Sequence, residues 1–209
     1  IMDSRLPPGS TNYSGQMFLL GTDGAGRDML SSIFYGLRVS LGVGALSGVI
    51  ALTIGSFFGV SAAFFRGKYE TIVMRIVDIQ LSFPSILVAL IIIAAFGKGI
   101  EKTMIALILV QWAYYARTAR ASALVEMNKE YIDAARCLAF GNARIMFKHI
   151  LPNCLAPLIV VGTLQTAHAI SLEATLSFLG LGLPVTEPSL GLLIGNGFEY
   201  MYSGDFWIS

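Results

Sequence analysis

A chain of 209 residues with 55% hydrophobic and only 13% charged residues has too little polar surface to coat a water-soluble body of its size; soluble domains carry about 25% charged residues. The formal net charge of +1 gives no sign of a nucleic-acid partner, and none is expected. Much of the surface must face lipid, and the composition predicts an all-α, multi-pass membrane bundle.

Residues 1–38 are polar and rich in glycine, with the run Gly21-Thr22-Asp23-Gly24-Ala25-Gly26-Arg27-Asp28. They read as an extramembrane segment, with a short helix from Met29 to Tyr35 leading into the bilayer. Residues 39–65 carry no charge, which predicts a first span. Within it Ser47, Ala51, Gly55, Gly59 and Ala63 recur every fourth residue, and Gly44 and Gly48 form a second small pair. Small residues at that spacing let helix backbones approach closely where lipid supplies no hydrophobic drive.

A charged link follows, in which Arg75 and Asp78 are spaced to form an ion pair. The second span is expected over 79–97, kinked by Pro84. The third is expected over 103–124, with Arg117 and Arg120 snorkelling to the interface. A charged loop over 125–149 precedes a fourth span over 150–176, and a Gly- and Pro-rich loop is expected over 180–205.

Lys and Arg set the orientation. The links around 66–78 and 117–148 hold Arg66, Lys68, Arg75, Arg117, Arg120, Lys129, Arg136, Arg144 and Lys148, against Arg5, Arg27, Arg38, Lys98 and Lys102 on the other side. The first set should be cytoplasmic, which makes 1–38 and 180–205 periplasmic. Four spans with both ends outside, and no signal peptide at Ile1-Met2-Asp3, predict one further span on each side and six in the whole.

No residue set supports catalysis. There is no G-x-x-x-x-G-K-[ST] phosphate loop and no H-E-x-x-H, so the chain is expected to bind neither cofactor nor metal. Cys137, Cys154, His149 and His168 match no metal or redox spacing and read as packing residues. The triplet Asn12-Tyr13-Ser14 is a chance glycosylation match. Gln165, His168 and Glu173 are polar groups in the last span, where ionisable residues default to functional candidates for a translocation path; Glu173 reads equally as an outer-interface residue.

The loop over 125–149 holds the unusual segment. Tyr131, Ala134, Ala135 and Leu138 fall at i, i+3, i+4 and i+7, one face of a short helix with small residues at its centre. Gly141-Asn142 suits a helix stop. Such a helix can dock into a groove on another protein or lie on lipid, and both readings stay open.

The stretch from Asp133-Ala134-Ala135 to Leu151-Pro152 resembles the Glu-Ala-Ala loop of permease subunits in ABC importers. Ala139 departs from it where Gly is usual, and His149 where Ile is usual. Leu20-Gly21-Thr22-Asp23, Gly26-Arg27-Asp28, residues 35–41, Met74-Arg75-Ile76-Val77-Asp78, Leu81-Ser82-Phe83-Pro84 and Glu173 to Gly180 are similar to the C-type permeases of dipeptide, oligopeptide and nickel importers. The resemblance implies a type I importer permease fold with a six-span core in the bacterial inner membrane. It implies a homologous second permease, two cytoplasmic ATPase subunits that hold ATP and Mg, and an external solute-binding protein. Tyr131, Asp133, Ala134, Ala135, Leu138, Ala139 and Gly141 would then contact an ATPase subunit. The solute, whether a di- or oligopeptide, nickel or glutathione, stays open. One rival is a secondary transporter or channel, which the absence of ionisable residues from the first two expected spans counts against; the other is a non-transporting scaffold or assembly factor.

Overall fold

The computed structural model describes residues 3–12, 14–184, 188–201, 203–205 and 207–208. Tyr13 of the Asn12-Tyr13-Ser14 triplet, and residues 185–187 and 202 of the loop expected over 180–205, lie outside them. The described chain is all-α apart from one small antiparallel pair, β1 (Ser10–Thr11) with β2 (Met17–Phe18), in which Ser10 faces Phe18. The helices are α1 (Met29–Phe65), α2 (Gly67–Leu81), α3 (Ser85–Phe96), α4 (Ile100–Glu126), α5 (Glu130–Cys137), α6 (Asn142–Arg144), α7 (Leu151–Asn153), α8 (Leu155–Phe178) and α9 (Leu190–Tyr200). A π-helical stretch, Ile145–Ile150, joins α6 to α7.

The short helix expected at Met29–Tyr35 is the first part of α1, which runs unbroken for 37 residues. Among the described residues α1 and α8 are each long and apolar enough to cross a membrane, and α2 with α3 qualifies only as a pair bent by 93°. The break replaces the kink expected within a span over 79–97. Pro84 forces Phe83 away from helical backbone, and the Ser82 hydroxyl takes the carbonyl of Asp78 at 2.7 Å as α2 ends. Alone, α3 has 12 residues, about 18 Å, against a hydrocarbon core of about 30 Å. α4 has the length of a span at 27 residues but carries Arg117 and Arg120.

The chain packs as two compact units. One comprises Ile1–Gly44, Ile92–Thr103 and Ile170–Ser209. Here the Gly21 to Asp28 run is a turn organised by the Asp23 side chain. The Asp23 carboxylate accepts from the backbone N–H of Ala25 at 2.9 Å and of Arg27 at 2.8 Å, and from Arg27 Nε at 2.8 Å. Fully buried Thr22 donates its hydroxyl to the carbonyl of Asp3 at 2.5 Å. The segment expected as a loop over 180–205 contains α9. Ser189 caps it by accepting from Leu192 N–H at 3.2 Å, and Ser40 of α1 accepts from Leu190 N–H at 3.3 Å. Gly191 lies so close to the backbone of Ala174 on α8 that no Cβ has room there.

The other unit comprises Ala45–Ile91 and Met104–Ala169. Its core is the crossing of α1 and α4. A Cβ on Gly55 would lie 2.5 Å from both the Trp112 carbonyl oxygen and Tyr115 Cβ, and one on Gly59 would meet the carbonyl of Ala116. Ala51 and Ala63 on α1, and Ala116, Ala119 and Ala123 on α4, are fully buried. The small-residue stripe is thus a helix seam. Polar contacts fasten α2 to the same helix. Arg120 Nε donates to Glu70 Oε1 at 2.7 Å, Arg117 pairs with Asp78 at 2.5 Å, and Trp112 Nε1 donates to Gln80 Oε1 at 2.8 Å. Asp78 therefore pairs across to α4 rather than with Arg75, and the two arginines expected to snorkel hold α2 instead.

Candidate functional site between α4 and α8

α5 begins one turn after α4 ends, and a polar cluster braces the two. The Tyr131 hydroxyl donates to Glu126 Oε2 at 2.7 Å, and Lys129 Nζ donates to Glu126 Oε1 at 2.7 Å. Asn153 Nδ2 donates to the carbonyl of His149 at 2.7 Å and to the Tyr131 hydroxyl oxygen at 3.3 Å. The hydrogen bonds from Lys129 and then Tyr131 hold the Glu126 carboxyl below its ordinary range. Burial, then the bond to Glu126, pushes the Tyr131 phenol up to about 12.

Pro152 has no N–H to offer the carbonyl one turn before it. The chain meets that defect with the π-helical stretch, and the Asn153 side chain covers the His149 carbonyl. Phe140 is held between the Arg144 guanidinium, 3.9 Å from its ring centre, and the His149 ring, stacked at 5.7 Å. Ile132, Ala135, Ile145, Met146 and Ile150 complete a buried apolar floor that continues into the α1–α4 core.

The face expected from Tyr131, Ala134, Ala135 and Leu138 splits in two. Tyr131 is tied to Glu126, and Ala135 is 4% exposed in the chain's own core. Asp133, Ala134, Leu138, Ala139 and Gly141 face outward, with Leu138 66% exposed. A groove on a partner would meet Ala134 and Leu138, not Ala135.

The helix stop is also displaced from Gly141. Ala139 takes the left-handed conformation at φ 53°. Its N–H bonds to the carbonyl of Arg136 at 2.9 Å, and Phe140 N–H bonds to that of Ala135 at 3.2 Å. This is the paired C-terminal cap that glycine ordinarily terminates. Gly141, at φ −63°, instead opens α6.

The three path candidates are divided between the two units. Gln165 and His168 belong to one unit and Glu173 to the other. His168 is exposed, with Nε2 3.2 Å from the Ser85 hydroxyl. Glu173 is fully buried, accepting from the Ser177 hydroxyl at 2.7 Å, so it does not sit at an outer surface of its unit. Sequence reasoning missed Glu126, Phe140 and Asn153. The only signal for them was spacing: Glu126 lies five residues before Tyr131 and Asn153 follows Pro152.

The family profile of the binding-protein-dependent transport system inner membrane component matches residues 51–204. A peptide transport system permease protein of Brucella suis is 43% identical over 193 residues, covering 92% of this chain and 64% of that protein. The di/tripeptide transport system permease protein DppC of Pseudomonas aeruginosa is 42% identical, over 95% of this chain and 66% of its own length. The dipeptide transport system permease protein DppC of Escherichia coli K12 is 42% identical, over 99% and 69%. The chain thus spans about two thirds of the length of these relatives. A chain of the MetNI methionine ABC transporter in an inward-facing conformation has the same fold, with a TM-score of 0.70 at 23% identity over 84% of this chain and 83% of that one. The chain belongs to the family of binding-protein-dependent transport system inner membrane components.

Proposed function

We propose that this chain forms the greater part of the transmembrane subunit of an ATP-driven importer that carries di- or oligopeptides across the bacterial inner membrane. α1, the α2–α3 pair, α4 and α8 cross the bilayer, and the segment between α4 and α8 faces the cytoplasm. A second, homologous permease completes the path. Two ATPase subunits hold ATP and Mg, and a solute-binding protein delivers the peptide. The peptide class is taken from relatives that are 42–43% identical over more than nine tenths of this chain.

The observation that carries the mechanism is the braced α5 with a small, apolar face turned outward. Ala134 lets a partner's groove approach closely, and Leu138 supplies an apolar knob at 66% exposure. The Glu126–Tyr131–Asn153 cluster ties that helix to the end of α4 and to α7, which leads into α8, so a push on α5 would reach both spans. Closure of the ATPase subunits would move α4 and α8 through this lever and change which side of the path is open. Gln165, His168 and Glu173 are the path candidates.

The test is Ala134→Trp and Leu138→Glu in the complete complex. Overfilling a close contact costs about 1–3 kcal/mol. Both variants should fold and join the second permease, and both should lose binding-protein-stimulated ATP hydrolysis. Normal stimulation in both would reject α5 as the coupling element and leave it as a helix lying on lipid.

A further inference from the structure

The glycines of α1 are not alike. Gly55 and Gly59 are pressed against the backbone of α4 and leave no room for a Cβ. Around Gly48 the three nearest atoms to a Cβ position are all side-chain oxygens: Thr166 Oγ1 at 3.1 Å, Tyr115 Oη at 3.8 Å and Gln111 Oε1 at 3.9 Å. A Cβ there would crowd the Thr166 hydroxyl rather than another helix's backbone, and its absence leaves a point ringed by oxygen where α1, α4 and α8 meet.

Gln111 aims into that space. Its side chain is fully buried, and among the described residues neither Nε2 nor Oε1 has a hydrogen-bond partner. Tyr115 is 1% exposed, and the Thr166 hydroxyl already donates to the carbonyl of Gly162 at 2.8 Å, which leaves its lone pairs free to accept. An orphan amide in a membrane interior is costly. Buried polar sites of this kind hold ordered water, typically with about three hydrogen bonds.

We propose that Gln111, Tyr115 and Thr166 bind an ordered water beside Gly48, and that this water bridges α1, α4 and α8. The water donates to Gln111 Oε1 and Thr166 Oγ1 and accepts from the Tyr115 hydroxyl. All three ligands are neutral oxygens, and three are too few for a bare cation, which takes six or more. The crossing is then direct at Gly55 and Gly59 and wet at Gly48. The site lies apart from the α5 face and does not depend on which solute is carried.

The experiment uses the assembled complex in nanodiscs. Gln111→Leu, Tyr115→Phe and the double variant are compared by thermal unfolding. Each single change should lower the midpoint, and the double change should lower it no further than the worse single one, because both empty the same bridge. A higher midpoint in Gln111→Leu would overturn the proposal, since removing a dry orphan amide stabilises; additive losses would overturn it as well. Should Gln111→Leu fail to assemble, Tyr115→Phe removes a single oxygen, and a cryo-EM map of the unaltered complex decides. Density bridging Gln111, Tyr115 and Thr166 supports the site, and an empty space of that shape in an otherwise hydrated map refutes it.

Discussion

Ala139 holds φ 53°, a conformation that costs an L-residue with a Cβ about 1–2 kcal/mol. It is exposed and its cap hydrogen bonds are backbone only. Ala139→Gly should therefore raise the stability of this segment by about 1 kcal/mol, read as stronger hydrogen-exchange protection across α5. Unchanged or weaker protection would mean that the cap is not under strain. Ala134 and Ala135, placed on one face by their spacing, differ: Ala135 is buried and Ala134 exposed. Ala135→Trp should strip the α5 floor and expose the loop to protease, while Ala134→Trp leaves it intact. Position along the helix could not separate them, because which alanine the chain keeps for its own core depends on Ile145, Met146 and Ile150, far along the chain. Glu126 adds a pH dependence. Its carboxyl is held low, so its bracing is complete above the ordinary carboxylate range and is lost only as pH falls below that range, through the carboxyl's own lowered one. The gap in melting midpoint between the native protein and Glu126→Gln should hold from pH 7 to about 4 and narrow below that; a gap that stays constant below about 4 would contradict the brace.

At the scale of elements, the seam of α1 and α4 was legible in the sequence, because every-fourth spacing of small residues has only one good use in a long apolar helix. Gly55→Ala and Gly59→Ala should each weaken assembly by about 1–3 kcal/mol through overpacking, seen as lower melting midpoints; Gly42→Ala, with nothing near its Cβ position, should not. Equal behaviour of the three would dissolve the seam. The break at Pro84 was legible as a kink but not as a bend of 93°, since a proline marks where a helix is interrupted and not where the next one goes. α9 was not legible. Gly191, Gly195 and Gly197 gave it the look of a loop, yet Gly191 is there because α9 presses on Ala174. The Arg75–Asp78 pairing failed for a related reason: local spacing offered Arg75, and the tertiary fold offered Arg117.

At the scale of the whole molecule, the proposed importer draws its energy from ATPase partners, and the outward face of α5 is where they would act. The most direct measurement is ATP-dependent uptake of labelled di- and oligopeptides into vesicles holding the complete complex, native or Leu138→Glu, with the binding protein supplied on the outer side. The account predicts uptake that needs ATP and binding protein in the native complex, and a complex that assembles yet carries almost nothing with Leu138→Glu. Uptake driven by an ion gradient alone, or undiminished ATP-dependent uptake in Leu138→Glu, would contradict it.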